Sequence, residues 1–265
     1  MKVLNNLLPA FMALSLTACA SSEPAAKSSE QLAFEQADQR DWASVFTDLC
    51  TGDWTEQWFL DGEVGTVTTN KNGMKLQAGP EWKNDAHHMV LWTKESFEGD
   101  LKIEYDFTRT ETDGWGVIII YIQATGSGAE GFPKDITEWN DYRRVPKMSK
   151  YFRGMNTYHI SYATSYIRGR RYMPLTGRMN GHSEMVPDYT ENQGPENIFE
   201  PGVTYRMTII KTDRVIYIKA ASEHQTRYFK LTNEKYPIIT EGRIGLRHMY
   251  TRAARYKNFS VSVPK

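Results

Sequence analysis

The run Leu101-Lys102-Ile103-Glu104-Tyr105-Asp106-Phe107-Thr108 alternates apolar and polar residues without a break. Successive side chains of a strand point to opposite faces, so this pattern specifies a strand with one buried and one wet face. The stretch from Trp115 to Ala124 is nearly continuous in apolar residues, as expected of a central strand covered on both faces. Tyr205 to Lys211, Val215 to Ala220, Tyr228 to Leu231, Arg243 to Met249 and Tyr256 to Val263 are further strands, and Thr212-Asp213-Arg214 makes a hairpin turn between two of them. Many short strands without a βαβ rhythm predict an all-β fold, an antiparallel β-sandwich of jelly-roll type.

Three segments depart from that rhythm. Glu30 to Arg40 is a short polar helix candidate at the domain edge. Ile136 to Tyr151 reads as a helical or irregular excursion, and Arg168 to Phe199 as a long polar stretch without clear periodicity. Loops of that length inside a compact domain usually carry function. Aromatic residues make up 12% of the chain. Strands favour aromatics, and flat rings also stack on ligands, so both explanations stand.

The N-terminus gives an address. Lys2 precedes an apolar run from Leu7 to Leu16 that is too short to span a bilayer, followed by Thr17-Ala18-Cys19. Leu16-Thr17-Ala18-Cys19 resembles a bacterial lipobox, in which the Cys becomes the acylated first residue of the mature protein. The expected organisation is a lipoprotein signal peptide over 1–18, a lipidated tether and edge segment over 19–49, and the sandwich over 50–265. Acylation of Cys19 would anchor the chain to a membrane of the bacterial envelope. Cys50 is then unpaired and reads as a buried, inert thiol. The 32 Lys and Arg balance 32 Asp and Glu, so no broad basic field exists and nucleic acid is not an expected partner.

The chain has no Gly-rich phosphate loop, no G-x-S-x-G and no H-E-x-x-H. His87 and His88 are adjacent, so on a strand their rings face opposite sides and cannot chelate one metal together. Glu104 and Asp106 have the parity of a glycosidase pair, but they lie beside Lys102 on an ordinary alternating strand and read as a solvated face. The densest polar chemistry is Asn156-Thr157-Tyr158-His159-Ile160-Ser161-Tyr162-Ala163-Thr164-Ser165-Tyr166-Ile167-Arg168. As a strand it puts His159, Ser161, Ala163 and Ser165 on one face and Tyr158, Ile160, Tyr162 and Tyr166 on the other. His159 is either the polar centre of a ligand site or a core histidine that satisfies a backbone group. In Arg243-Ile244-Gly245-Leu246-Arg247, Ile244 and Leu246 point inward and both arginines outward, onto plain solvent or a groove. There they could grip carboxylates or sulfates.

His88-Met89-Val90-Leu91-Trp92, Asn156 to Tyr162 and Gly242 to Met249 resemble the YesU-like family of bacterial concanavalin A-like proteins, over about Trp54 to the C-terminus. The resemblance implies a concanavalin A-like jelly roll associated with polysaccharide degradation. After Arg168 the chain departs from the family's Asn- and Arg-rich pattern. Jelly rolls that cleave acidic polysaccharides commonly do so by β-elimination at a uronic acid, with Tyr, His, Arg and Asn or Gln on the concave sheet. Removal of a proton α to a carboxylate develops enolate charge, which a cation or amide stabilises while a base and an acid move protons. No metal or organic cofactor is required.

The expected partner is therefore an acidic oligo- or polysaccharide, such as ulvan. The expected reaction is that of a lyase, or of a dehydratase at the non-reducing chain end. The alternatives are a glycoside hydrolase of the same fold and a non-catalytic surface glycan-binding lipoprotein. His159 is the expected base or charge neutraliser, Tyr166 the acid, Arg247 the carboxylate contact and His88 a second imidazole. Tyr162 and Tyr166 need a bulge or the strand end to join His159. Trp92, Gln123, Asn156, Tyr162, Arg168 and Arg243 are the expected substrate contacts.

Overall fold

The alternation at 101–108 builds a strand, β7 (Leu101–Arg109), whose odd-numbered residues are all buried and whose even-numbered residues are half-exposed. A computed structural model describes residues 26–112, 116–163, 167–174, 182–184, 186–188 and 198–265, the short pieces 182–184 and 186–188 by backbone alone. Cys19 and Tyr166, to which lipidation and proton donation were assigned, lie outside the described residues.

Two antiparallel sheets face each other. The first runs β12 (Val186–Asp188), β15 (Thr226–Thr232), β14 (Val215–Ala221), β13 (Thr204–Lys211), β7, β17 (Ala253–Pro264), β4 (Gly73–Gln77) and β3 (Thr66–Asn70), with β1 (Trp42–Asp48) also on β17. The second runs β11 (His182–Glu184), β10 (Arg168–Tyr172), β9 (Met155–Tyr162), β8 (Ile118–Gly126), β16 (Glu241–His248), β5 (Met89–Thr93) and β2 (Trp58–Asp61), with β6 (Phe97–Glu98) on β16. The inward residues of β7, β8, β9, β13, β16 and β17 fill the space between them. Each fully buried Ile, Leu or Phe there contributes roughly 1.5–3 kcal/mol. On the wet face of β7, Glu104 and Asp106 both pair with Arg206, and Lys102 pairs with Asp38.

Three expectations are corrected by this architecture. The sandwich does not start at residue 50, because β1 pairs with β17 along its length. Ahead of it, helix α1 (Ser29–Asp38) packs Phe34 and Ala37 against Ile210 on the first sheet. The stretch after Arg168 is not all loop, because β10 pairs with β9 from Arg168 to Tyr172. Its apolar period is hidden by Arg168 and Arg170 on one face and Gly169 and Arg171 on the other. Tyr162 is not on the outer surface. It lies fully buried between the sheets, its hydroxyl 3.2 Å from that of Tyr105. Cys50 is buried at a positive φ of 60°, and burial raises its thiol to about 12, so it stays protonated.

The feature that positions the site is a second apolar cluster on the outer face of the second sheet. Residues 127–154, between β8 and β9, fold over this face as two short 3-10 turns, Ile136–Trp139 and Asp141–Arg143, and helix α2 (Met148–Gly154). A Cβ on Gly126, where the segment leaves β8, would stand 1.8 Å from the Pro133 carbonyl oxygen, so only glycine allows the chain to fold back so closely.

Candidate functional site

Strand pairing writes the site as two rows across the second sheet. Arg170, His159, Tyr121, Gly245, Trp92 and Phe59 face one another in sequence from β10 to β2. Arg168, Ser161, Ile119, Arg247, Val90 and Asp61 form the neighbouring row. Both rows point outward, beneath the 127–154 cover. Gly245 leaves room for the Trp92 indole, whose ring would stand 2.5 Å from a Cβ there. Trp92, Tyr121 and Tyr151 stack with ring centres 5.3 and 5.8 Å apart, joining the cover to the sheet. Such aromatic pairs are worth about 0.5–1.5 kcal/mol each beyond area burial.

His159 is fully buried. Its Nε2 is 2.6 Å from Ser161 Oγ, its Nδ1 is hydrogen-bonded to the Tyr172 hydroxyl, and its ring stands edge-on to Tyr121. The Tyr172 and Tyr121 hydroxyls both point at Met148 Sδ of α2, at 3.5 and 3.6 Å. Burial pushes the phenols of Tyr121, Tyr151 and Tyr172 above the usual tyrosine range, so all three hold their protons at neutral pH.

Arg247 supplies the positive charge. Its guanidinium is fully buried, 4.5 Å from the centre of the Tyr151 ring, and its Nη2 donates to His88 Nδ1 at 2.7 Å and to the Pro146 carbonyl at 2.6 Å. Its Nε and Nη1 make no hydrogen bond among the described residues. A buried charge with two idle donors is costly unless a partner arrives to take them. His88 is neutral: burial, reinforced by the Arg247 charge, pushes it down to about 3. Its Nδ1 therefore accepts from the guanidinium.

The cover is fastened by Asp61. Its Oδ2 accepts from Trp92 Nε1 at 2.8 Å, Arg143 Nε at 2.6 Å and the Tyr151 hydroxyl at 2.9 Å, and its Oδ1 accepts from Asn140 Nδ2 at 2.6 Å. Arg143 is fully buried and spends its remaining donors on the Trp139 and Ile136 carbonyls.

The structure therefore brings His159, Arg247 and His88 onto one covered face, with Arg168 half-buried opposite Ser161. Trp92 shares that face but is committed to Asp61. Gln123 sits at a β8 bulge with φ 53° and donates to the Phe97 and Gly99 carbonyls, away from His159. Asn156 has the parity of Tyr158, not of His159. Arg243 lies on the outer face at the far end, lining an open groove of about 360 Å³ with Phe59, Lys94, Thr137 and Asn140. Phe59 is four strands from His159, roughly 19 Å at the usual strand spacing. Sequence reasoning passed over Tyr121, Tyr172 and Asp61. Arg168-x-Arg170-x-Tyr172, a polar alternation leaving β9 by a short connection, was the available signal for Tyr172.

Comparison with known proteins agrees with the resemblance read from the sequence. The chain is 24% identical over 209 residues to the uncharacterised protein YesU of Bacillus subtilis (strain 168), covering 78% of this chain and 89% of that one. It superposes on a crystal structure of a Bacillus subtilis protein of unknown function with a galectin-like fold, at a TM-score of 0.60 and 20% identity, over 84% of this chain and all of that one. The cellulose induced protein Cip1 aligns with a TM-score of 0.50 at 12% identity, covering 82% and 96% of the two chains. A structure from work on endo-acting O-glycanases of the human gut microbiota that initiate mucin breakdown aligns at 0.50 and 12%, covering 84% and 100%. These likenesses establish the jelly-roll sandwich. Residues 47–261 match the family model described as "Domain of unknown function (DUF1961)", and the chain belongs to that family.

Proposed function

We propose that the covered face of the second sheet is the active site of an enzyme that performs β-elimination on a uronate-containing poly- or oligosaccharide. The observation that carries this reading is Arg247, a fully buried guanidinium with two idle N–H groups on the same face as the His159–Tyr172 pair. A planar carboxylate matches two guanidinium donors bidentately. Held there, a uronate would have its α proton acidified by the buried cation. His159 takes that proton, a double bond forms between the α and β carbons, the C–O bond at the β carbon breaks, and the protonated Tyr172 hydroxyl gives its proton to the departing oxygen. If that oxygen belongs to a sugar the chain is cut. If it is a free hydroxyl at a chain end, water is lost. That a structure described by O-glycanases shares the fold supports a glycan as the substrate class. Hydrolysis by paired carboxylates is less well supported, because Asp61 has both oxygens engaged and Glu104 and Asp106 lie on the opposite sheet in ion pairs. We further propose that Cys19 anchors the protein to a bacterial envelope membrane, where such polymers are met.

The test is incubation with ulvan, alginate, polygalacturonate and chondroitin sulfate, followed by the ultraviolet absorbance of an unsaturated uronate. Elimination gives that absorbance, and His159→Ala lowers the rate by about a hundredfold or more with the thermal midpoint little changed. New reducing ends without the absorbance would instead mean hydrolysis. Retention without turnover would mean a binding protein. A fully active His159→Ala would return His159 to a structural role.

A further inference from the structure

Trp82 lies in the loop between β4 and β5 and is 46% exposed. A large indole left that open on a loop is unusual unless something packs on it. It is not loosely held. Its ring stands edge-on to Tyr250, centres 5.0 Å apart. Tyr250 in turn lies 4.9 Å from the His88 ring, and His88 accepts from Arg247. A continuous line of rings thus leads from the surface to the buried guanidinium. Lys83, the next residue, takes a positive φ of 62° and places its ammonium 5.6 Å from the centre of the Trp82 ring. The neighbouring acids are occupied elsewhere: Glu81 by His87 and Asn84, Asp85 by Lys147. Among the described residues Lys83 makes no ion pair.

We propose that Trp82 and Lys83 form an outer subsite for a pyranose bearing a carboxylate or sulfate, next along the chain from the sugar whose carboxylate Arg247 receives. The apolar C–H face of a pyranose packs on a flat indole, and a lysine ammonium on a flexible stem meets an anionic substituent without demanding one geometry. Tyr250 holds the indole at the rim, so little ordering is left to be done on binding. The choice of an acidic saccharide as occupant rests on the proposed function. The stacking platform rests on Trp82 itself.

The experiment is native electrophoresis of the full chain through gels containing ulvan, alginate, polygalacturonate or chondroitin sulfate, with thermal midpoints measured alongside. The wild type is retarded in at least one gel. Trp82→Ala weakens that retardation about fivefold or more, the scale of one lost aromatic contact, and Trp82→Phe restores part of it. Lys83→Ala removes the part of the retardation that salt removes from the wild type. His159→Ala is retarded as the wild type is, because it does not touch the subsite. Equal retardation of wild type and a folded Trp82→Ala, or no retardation of the wild type in any gel, overturns the proposal. Retardation that depends on Trp82 without turnover of any polymer would sink the eliminase reading and leave the subsite standing. Turnover of a polymer with unchanged kcat/KM in Trp82→Ala would sink the subsite alone.

Discussion

Replacing Asp61 with Ala should unfasten the cover from the sheet. The carboxylate accepts four hydrogen bonds, from Trp92, Asn140, Arg143 and Tyr151, and both Asp61 and Arg143 are fully buried. Removing one member of a buried ion pair strands the other charge, at a cost of about 3–5 kcal/mol. Arg143 keeps its bonds to the Trp139 and Ile136 carbonyls and its place over the Trp139 ring at 4.2 Å. That retained solvation favours the low end, about 3 kcal/mol. For a domain of this size the thermal midpoint should fall by roughly 6–12 °C. Urea unfolding of Asp61→Ala, Arg143→Met and the double variant measures the coupling directly. The two changes together should cost less than the sum of the singles by about 2 kcal/mol, because the double variant leaves no charge stranded. Limited proteolysis between 130 and 150 should accelerate in Asp61→Ala ahead of global unfolding. A loss below about 1 kcal/mol, or additivity in the cycle, would show that the pair does not hold the cover.

Two further expectations follow from single groups. His88 and His248 are buried and pushed down to about 3, chiefly by desolvation, whereas an unfolded histidine titrates near 6.5. Between these values the unfolded chain binds more protons than the folded one, so stability falls as the pH drops below about 6.5. At pH 5 the penalty is about 2 kcal/mol for each ring. Urea midpoints at pH 7 and 5 measure the loss, and imidazole resonances that titrate near 6.5 in the folded protein would refute it. For Cys19, substitution by Ala should move the protein from the membrane fraction to the soluble one. An unchanged distribution would remove the lipid anchor.

What the sequence showed and what it hid have a common physical origin. Periodicity reports a contrast between a dry face and a wet one. On β7 that contrast is complete, with Ile103 and Tyr105 inside and Glu104 and Asp106 outside, so the strand and its facing were legible. The parity of His159 against Tyr158 and Ile160 was legible for the same reason. Tyr162 was misplaced because the one register break between β8 and β9 falls between Ile122 and Thr125, beyond the other end of the His159 block. From Tyr158 to Tyr162 the ladder is unbroken, and nothing re-aims the phenol outward. The second sheet offers no such contrast, since β8 and β5 are buried on both faces. Its outer face is covered by residues 127–154, whose own pattern is polar and aromatic. Asp61 reads locally as the end of a strand, and its role depends on donors 31 to 90 positions away. Tyr172 belongs to a strand whose pairing is supplied by β9 rather than by apolar residues of its own.

The chemistry collects where periodicity is least informative. Covering an outer sheet face with a polar segment creates a second interior, and it is a charged one. Asp61 answers Arg143 there, while Arg247 has only the neutral His88, the Pro146 carbonyl and the Tyr151 ring. In that setting a guanidinium attracts an anion far more strongly than it would at a wet surface. The cost of keeping Arg247 dry is thus met elsewhere in the fold, by the Asp61 clamp that holds the cover down. This makes the clamp and the anion site parts of one device. If the clamp is loosened, water reaches Arg247, and the cation should lose its hold on a carboxylate even though every residue that touches it remains in place.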